Sequence, residues 1–201
     1  MQKTKLAVLL STALIAGVAQ AQSGIYVGLE GGIANQSGLP SQSEAGATSV
    51  DNSLSPNAIR ASLGYNHDLN SLLGIGLEVG AGKYGKTTYH YADGTTTDIS
   101  SGTVEFLATS MLHINPKFDL IAKVGGIRIT PDVTGTNAGE KSTQIAPQAS
   151  IGAAYNFNSH LAATLSYAHV FGTSVTSVNE VSKKATTLDE ALLGLRYSFG
   201  S

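Results

Sequence analysis

Along most of the chain apolar and polar residues alternate with a period of two, most cleanly over 144–157. There Ile145, Pro147, Ala149, Ile151, Ala153, Tyr155 and Phe157 share one face, opposite Ala146, Gln148, Ser150, Gly152, Ala154 and Asn156. The pattern recurs near the end of the chain, with Ala191, Leu193, Leu195, Tyr197 and Phe199 opposite Glu190, Leu192, Gly194, Arg196 and Ser198. It recurs again with Ile59, Ala61, Leu63 and Tyr65 opposite Arg60, Ser62, Gly64 and Asn66. A strand sends successive side chains to opposite sides, so this period predicts strands with one apolar face. Eight are expected, over 24–35, 57–69, 72–85, 102–114, 118–130, 144–157, 161–172 and 188–199.

Alternation alone also fits a soluble sandwich, and the connections decide between the two. Three are tight and polar: Asn70-Ser71, Asn115-Pro116-Lys117 and Asn158-Ser159-His160. The other four, over 36–56, 86–101, 131–143 and 173–187, are long and rich in Ser, Thr, Gly and Asn. Short and long connections alternate strictly, which sorts them onto opposite ends of a cylinder. Transmembrane barrels have this asymmetry, with short periplasmic turns and long outer loops. The expected fold is therefore all-β, an eight-stranded antiparallel up-and-down transmembrane barrel. Closure satisfies every backbone donor and acceptor inside the protein, as lipid requires.

The apolar face carries Tyr65, Phe118, Tyr155, Phe157, Tyr197 and Phe199 close to the short-turn end, where they would form a periplasmic aromatic girdle. Phe171 is the candidate for the outer girdle. The opposite face carries most of the strand charges: Glu30, Glu78 and Glu105 with Arg60, Lys123 and Arg196. A Lys or Arg facing lipid at the midplane costs ~2–4 kcal/mol, so these charges are placed in the lumen as a balanced ionic network. Such a network either plugs the lumen or, by exchanging partners, lines a narrow ion path.

The chain opens with Lys3 and Lys5, an apolar run over 6–18, and Ala19-Gln20-Ala21. The run is too short to span a membrane, which takes ~20 residues. A basic start, a short apolar run and a small-x-small end mark a secretory signal, 1–21, cleaved after Ala21 to leave the barrel as 22–201. Cleavage would remove two basic residues and leave 10 against 14 acids, a net charge of −4. That balance argues against a nucleic-acid partner. The absence of cysteine excludes thiol catalysis, thiolate zinc sites and iron–sulfur clusters.

Three groups of residues carry a resemblance. They are the run from Phe118 through Lys123 to Gly126, then Pro147 and Gly152 to Tyr155 with Leu161 and Tyr167, and the ending Leu193 to Phe199. Together they resemble OmpA-type outer-membrane β-barrel domains. The resemblance implies an interior ionic network, a Gram-negative outer-membrane location, lipid and lipopolysaccharide as surroundings, and the barrel assembly machinery as partner. Two features depart from the family pattern. Gly200-Ser201 follow the terminal aromatic Phe199, and no peptidoglycan-binding region follows the last strand, so peptidoglycan anchoring is not carried over.

Several motifs have the outline of chemistry without its context. Gly80 to Thr87 matches G-x-x-x-x-G-K-[ST], and Gly80, Gly82 and Gly85 match G-x-G-x-x-G. Both motifs need a following helix whose amides hold phosphate. Here Thr87 to Tyr91 favour a strand and Asp93-Gly94 a hairpin turn. Connection 86–101 should therefore rise as a hairpin, with Tyr84, Tyr89 and Tyr91 exposed on its arm as candidate contacts. His67, His90, His113, His160 and His169 form no ligand set and read as solvated or interfacial. Ser166, Ser174 and His169 raise a lipid-hydrolase reading, but alternation puts Ser166 inside and His169 outside. No cofactor, metal or catalytic residue is expected. The leading expectation is a non-enzymatic barrel that supports the envelope and presents its four long connections to an extracellular ligand. The alternatives are a narrow ion or solute channel and, third, a lipid A-modifying enzyme.

Overall fold

A computed structural model describes residues 23–37, 47–51, 58–135, 143–172 and 187–199. Its elements are β1 (Gly24–Ser37), β2 (Ser49–Asp51), β3 (Ala58–Asp68), β4 (Leu73–His90), β5 (Thr96–Asn115), β6 (Phe118–Gly135), β7 (Gln144–Asn156), β8 (Leu161–Val170) and β9 (Thr187–Ser198). Strands β3 to β9 pair in sequence order, β3 pairs with β1, and β1 returns to β9 in a register from Tyr26↔Ser198 to Ser37↔Thr187. All pairings are antiparallel, so β1 and β3–β9 form a closed eight-stranded barrel. Closure leaves no strand edge around the barrel wall.

Each short turn is built the same way. The side-chain oxygen of Asn70 accepts from the amides of Leu72 and Leu73, that of Asn115 from Lys117 and Phe118, and that of Asn158 from His160 and Leu161. An asparagine that accepts from the backbone two and three residues on replaces a backbone turn. One residue type thus reverses the chain at three places on the same end.

At the other end the expected boundaries change. β4 and β5 continue to His90 and from Thr96, so most of 86–101 is paired, and the chain reverses over 91–95 with Gly94 at φ +80°. The Thr95 hydroxyl and amide both donate to Asp93 Oδ1, at 2.7 and 2.9 Å, and hold this loop carboxyl below its ordinary range. β6 runs to Gly135 rather than 130, and β2 pairs with β4 from Ser49↔His90 inside the expected loop 36–56. Above the lipid a strand needs no apolar face, so pairing there leaves no alternation to read. Residues 38–46, 52–57, 136–142 and 173–186 of the long connections, the leader with Ala21, and Gly200-Ser201 lie outside the described residues.

The barrel is apolar outside and polar within. Ile145 is 73% exposed and Leu193 64%, whereas Glu105 is 1% exposed. Two interior apolar clusters bracket the charges. Tyr84, Ile127, Ile129, Val170 and Leu188 lie toward the long connections, and Met111, Ile121, Ala154 and Ala162 toward the short turns.

Some glycines permit the strands to approach. A Cβ on Gly125 would lie 2.1 Å from the Phe106 carbonyl oxygen, in the backbone of β5. On Gly126 it would find nothing nearer than the Ala146 carbonyl oxygen at 3.9 Å. Gly125→Ala should therefore cost ~1–3 kcal/mol in reversible urea unfolding of the refolded barrel, as overpacking does. Gly126→Ala, one residue away, should leave the midpoint unchanged.

Candidate functional site

The centre of the lumen is organised by Arg60 of β3, which is 4% exposed. Its Nη1 donates to Glu30 Oε2 of β1 at 2.7 Å, its Nη2 to Glu78 Oε1 of β4 at 2.5 Å, and its Nε to Glu105 Oε2 of β5 at 2.9 Å. Lys123 of β6 reaches both oxygens of Glu78 at 2.9 Å. Tyr26 donates to Glu78 Oε2 at 2.8 Å, Tyr84 to Glu105 Oε1 at 3.0 Å, and Thr164 to Glu30 Oε1 at 3.2 Å. A guanidinium presents its donors in a planar fork, which lets one residue tie three strands. Two glycines make the room: a Cβ on Gly80 would lie 2.9 Å from Arg60 Nη2, and on Gly82 2.7 Å from the Tyr84 ring. Of the glycines that mimic a phosphate loop, Gly80 and Gly82 face these side chains, and the strand continues past them to His90 in place of a helix.

Three expectations need correction. Tyr84 is buried and faces the lumen rather than standing exposed on the hairpin arm. It shares the inward parity of Glu78, Gly80 and Gly82, which the sequence already carries. The charge balance also differs, because Glu190 of β9 joins this layer as a fourth acid while Arg196 does not reach it. Glu190 is 1% exposed, and its carboxyl oxygens accept no hydrogen bond among the described residues. The one hydroxyl proton of Tyr84 is already directed to Glu105. Glu190, Gln148, Arg60 and Lys123 border a void of about 10 Å³, room for roughly one water.

Arg196 belongs to a second polar layer near the short turns. Its Nη2 lies 3.5 Å from Asp119 Oδ2, and its guanidinium stands over the Tyr26 ring at 5.7 Å. His113 supplies the third correction. It is buried, not solvated, with Nδ1 2.8 Å from Asp119 Oδ1 and Nε2 3.3 Å from Asp68 Oδ1. Asn156 donates to Asp119 Oδ2 at 2.9 Å. Except for His113 and Asp119, which face each other across the β5–β6 turn, these pairings join residues far apart in sequence and follow from the barrel's register.

On the outside, Phe118, Tyr155 and Phe157 form a chain of edge contacts at 5.0 and 5.3 Å, and Tyr197 meets Phe199 at 5.0 Å. Tyr65 is exposed on the same end of β3. At the opposite end His169 and Phe171 meet at 4.6 Å, and Tyr167 lies beside them on β8. His169 Nδ1 lies 2.7 Å from Asp189 Oδ1, so this histidine too has a carboxylate partner. Ser166 faces inward and borders the lumen void, on the other side of the wall from His169. Ser174 is outside the described residues.

The outer membrane protein β-barrel domain family matches residues 6–199. The chain belongs to this family. Its place is thus the Gram-negative outer membrane, with a closed all-antiparallel eight-stranded fold. Among solved structures, this outer-membrane barrel resembles Ail, the attachment invasion locus protein of Yersinia pestis. The identity is 14% and the TM-score 0.54, over 87% of this chain and 96% of that one. Ail with the heparin analogue sucrose octasulfate gives 14% and 0.53 over the same shares. OprG of Pseudomonas aeruginosa is 13% identical at a TM-score of 0.49, over 90% of this chain and all of that one. At such identities the likeness shows the fold alone. No curated protein sequence matches the chain.

Within this outer-membrane barrel the two kinds of interior carboxyl should respond oppositely to neutralisation. Glu78→Gln removes the charge shared by Arg60 and Lys123 and should cost ~3–5 kcal/mol in urea unfolding. Glu190→Gln removes a buried carboxyl that meets no base, and the unfolding midpoint should stay or rise.

Proposed function

We propose that this protein is a non-enzymatic, sealed barrel that strengthens the outer membrane and presents its four long connections outside as a binding surface. The observation that carries the reading is the Arg60 cluster, which ties the neighbouring strands β1, β3, β4 and β5 inside the lumen and is joined there by Lys123 of β6 and Thr164 of β8. The voids beside it are about 30 and 10 Å³. Each has space for one water or a few, far less than a hydrated ion path requires. Above the cluster, Ile127, Val170 and Leu188 add an apolar layer that an ion would have to cross.

In this reading residues 1–21 direct export and are removed after Ala21, and the barrel assembly machinery inserts the rest. Function in a specific sense then lies with the connections, as it does where loops are carried on a rigid scaffold. The structure of Ail with a heparin analogue makes a sulfated sugar a reasonable first probe. One observation favours a channel as the second reading: Glu78 is shared between Arg60 and Lys123, so its pairing has two arrangements to exchange.

Planar-bilayer recording decides between them. The folded barrel, verified by heat-dependent gel migration, is expected to show no steady conductance steps. Steady steps that shift in size with Lys123→Ala would make the lumen a pathway and displace the sealed-barrel reading.

A further inference from the structure

From the short-turn end to near the long-connection end, the outward positions of the described barrel strands carry no acid or base. His67 lies at the first end, and Lys83, Arg128, His169 and Asp189 near the second. A charge on the lipid face costs little at the interface and several kcal/mol at the midplane, so these residues mark the outer headgroup level. Lys83 and Arg128 are single chains that can extend toward water. His169 and Asp189 are organised differently, for both are tied down on the barrel wall itself.

Asp189 of β9 stands directly opposite His169 of β8 in the ladder and opposite Asn35 of β1 on its other side. Its Oδ1 accepts from the Tyr167 hydroxyl at 2.7 Å and from His169 Nδ1 at 2.7 Å. Both bonds use one carboxylate oxygen, which leaves Oδ2 and His169 Nε2 directed away from the pair. Phe171 packs edge-on against the imidazole and limits its rotation. The result is a carboxylate fixed at the surface by two donors on one oxygen, with its second oxygen left to accept from a ligand.

An apolar groove runs from Tyr167 across the wall toward the short-turn end, bordered by Ile151, Leu165, Ala122, Leu120 and Leu112. Ile151, Tyr167 and Ala191 lie in one ladder row, so the groove opens directly beside the polar cluster. A hydrogen-bonding group at headgroup level over an apolar trough is complementary to a lipid whose head donates hydrogen bonds. The leaflet at this end of an outer-membrane barrel is built from an acylated glycolipid, whose sugars carry hydroxyl and amide donors.

We infer that Asp189, His169 and Tyr167 form a docking site for the sugar headgroup of an outer-leaflet glycolipid, with an acyl chain seated in the groove over Ile151 and Leu165. Asp189 Oδ2 accepts from the sugar, and Tyr167 and His169 orient the carboxylate. No acyl transfer is involved: the ladder neighbours of His169 are Ala149 and Asp189, and Ser166 lies on the inner face. The site rests on the long connections facing outward, not on a sealed lumen, so lipid retention and conductance can fail independently.

Native mass spectrometry of the refolded barrel in detergent, with equal amounts of lipid A and phosphatidylethanolamine, tests it. The wild-type protein should retain lipid A over phosphatidylethanolamine by about 5-fold, the size of one or two surface hydrogen bonds. Asp189→Ala and His169→Ala should each bring that ratio close to parity while heat-dependent migration persists, and His67→Ala at the other end should leave it unchanged. Should an alanine variant fail to refold, Asp189→Asn and Tyr167→Phe provide the same reading. Equal retention of the two lipids by the wild-type barrel would overturn the proposal. So would a ratio unaffected by either substitution, or one lost equally in His67→Ala.

Discussion

The structure depends on one buried guanidinium. A barrel in lipid must turn its apolar side chains outward, which leaves the narrow interior to polar groups that water cannot fully solvate. Charges placed there survive only if they find each other, because an ion removed from water without a partner is heavily penalised. Arg60 meets this constraint by bonding Glu30, Glu78 and Glu105 at once, and each carboxylate comes from a different strand. The cluster also fixes the relative height of the strands, since a shift of β3 by two residues would carry Arg60 out of reach of its partners.

Other features follow from making room for that group and closing the space around it. Gly80 and Gly82 line the stretch of β4 over which Arg60 and Tyr84 lie, and larger residues there would displace both. Tyr26, Tyr84 and Thr164 satisfy the remaining carboxylate oxygens. An apolar cluster toward the long connections caps the ionic layer, and a smaller one beside the second polar layer flanks it toward the short turns. The asymmetric feature is Glu190, buried beside this layer without a donor, which identifies the place where the interior is least satisfied.

Much of this was legible in the sequence because a barrel wall obeys period two and a barrel end obeys turn chemistry. The alternation placed β1, β3, β7, β8 and β9 within two residues, and the three asparagine turns sorted the ends. What could not be read was who meets whom across the lumen, since that depends on the shear of the closed sheet. His113 with Asp68, and the absence of Arg196 from the Arg60 layer, are of this kind. The inward parity of Tyr84 and His113, and the outward parity of Asp189 next to an outward His169, are by contrast visible in the residue pattern.

The arginine side chains report on the central interaction directly. The sequence holds three, at 60, 128 and 196, so their NMR signals are separable after selective ¹⁵N labelling. Arg128 is exposed and should show averaged guanidinium protons that exchange quickly with water. If Arg60 is locked by three carboxylates, its Nη protons should resolve as distinct signals protected from exchange. An Arg60 guanidinium that rotates and exchanges like that of Arg128 would contradict the account.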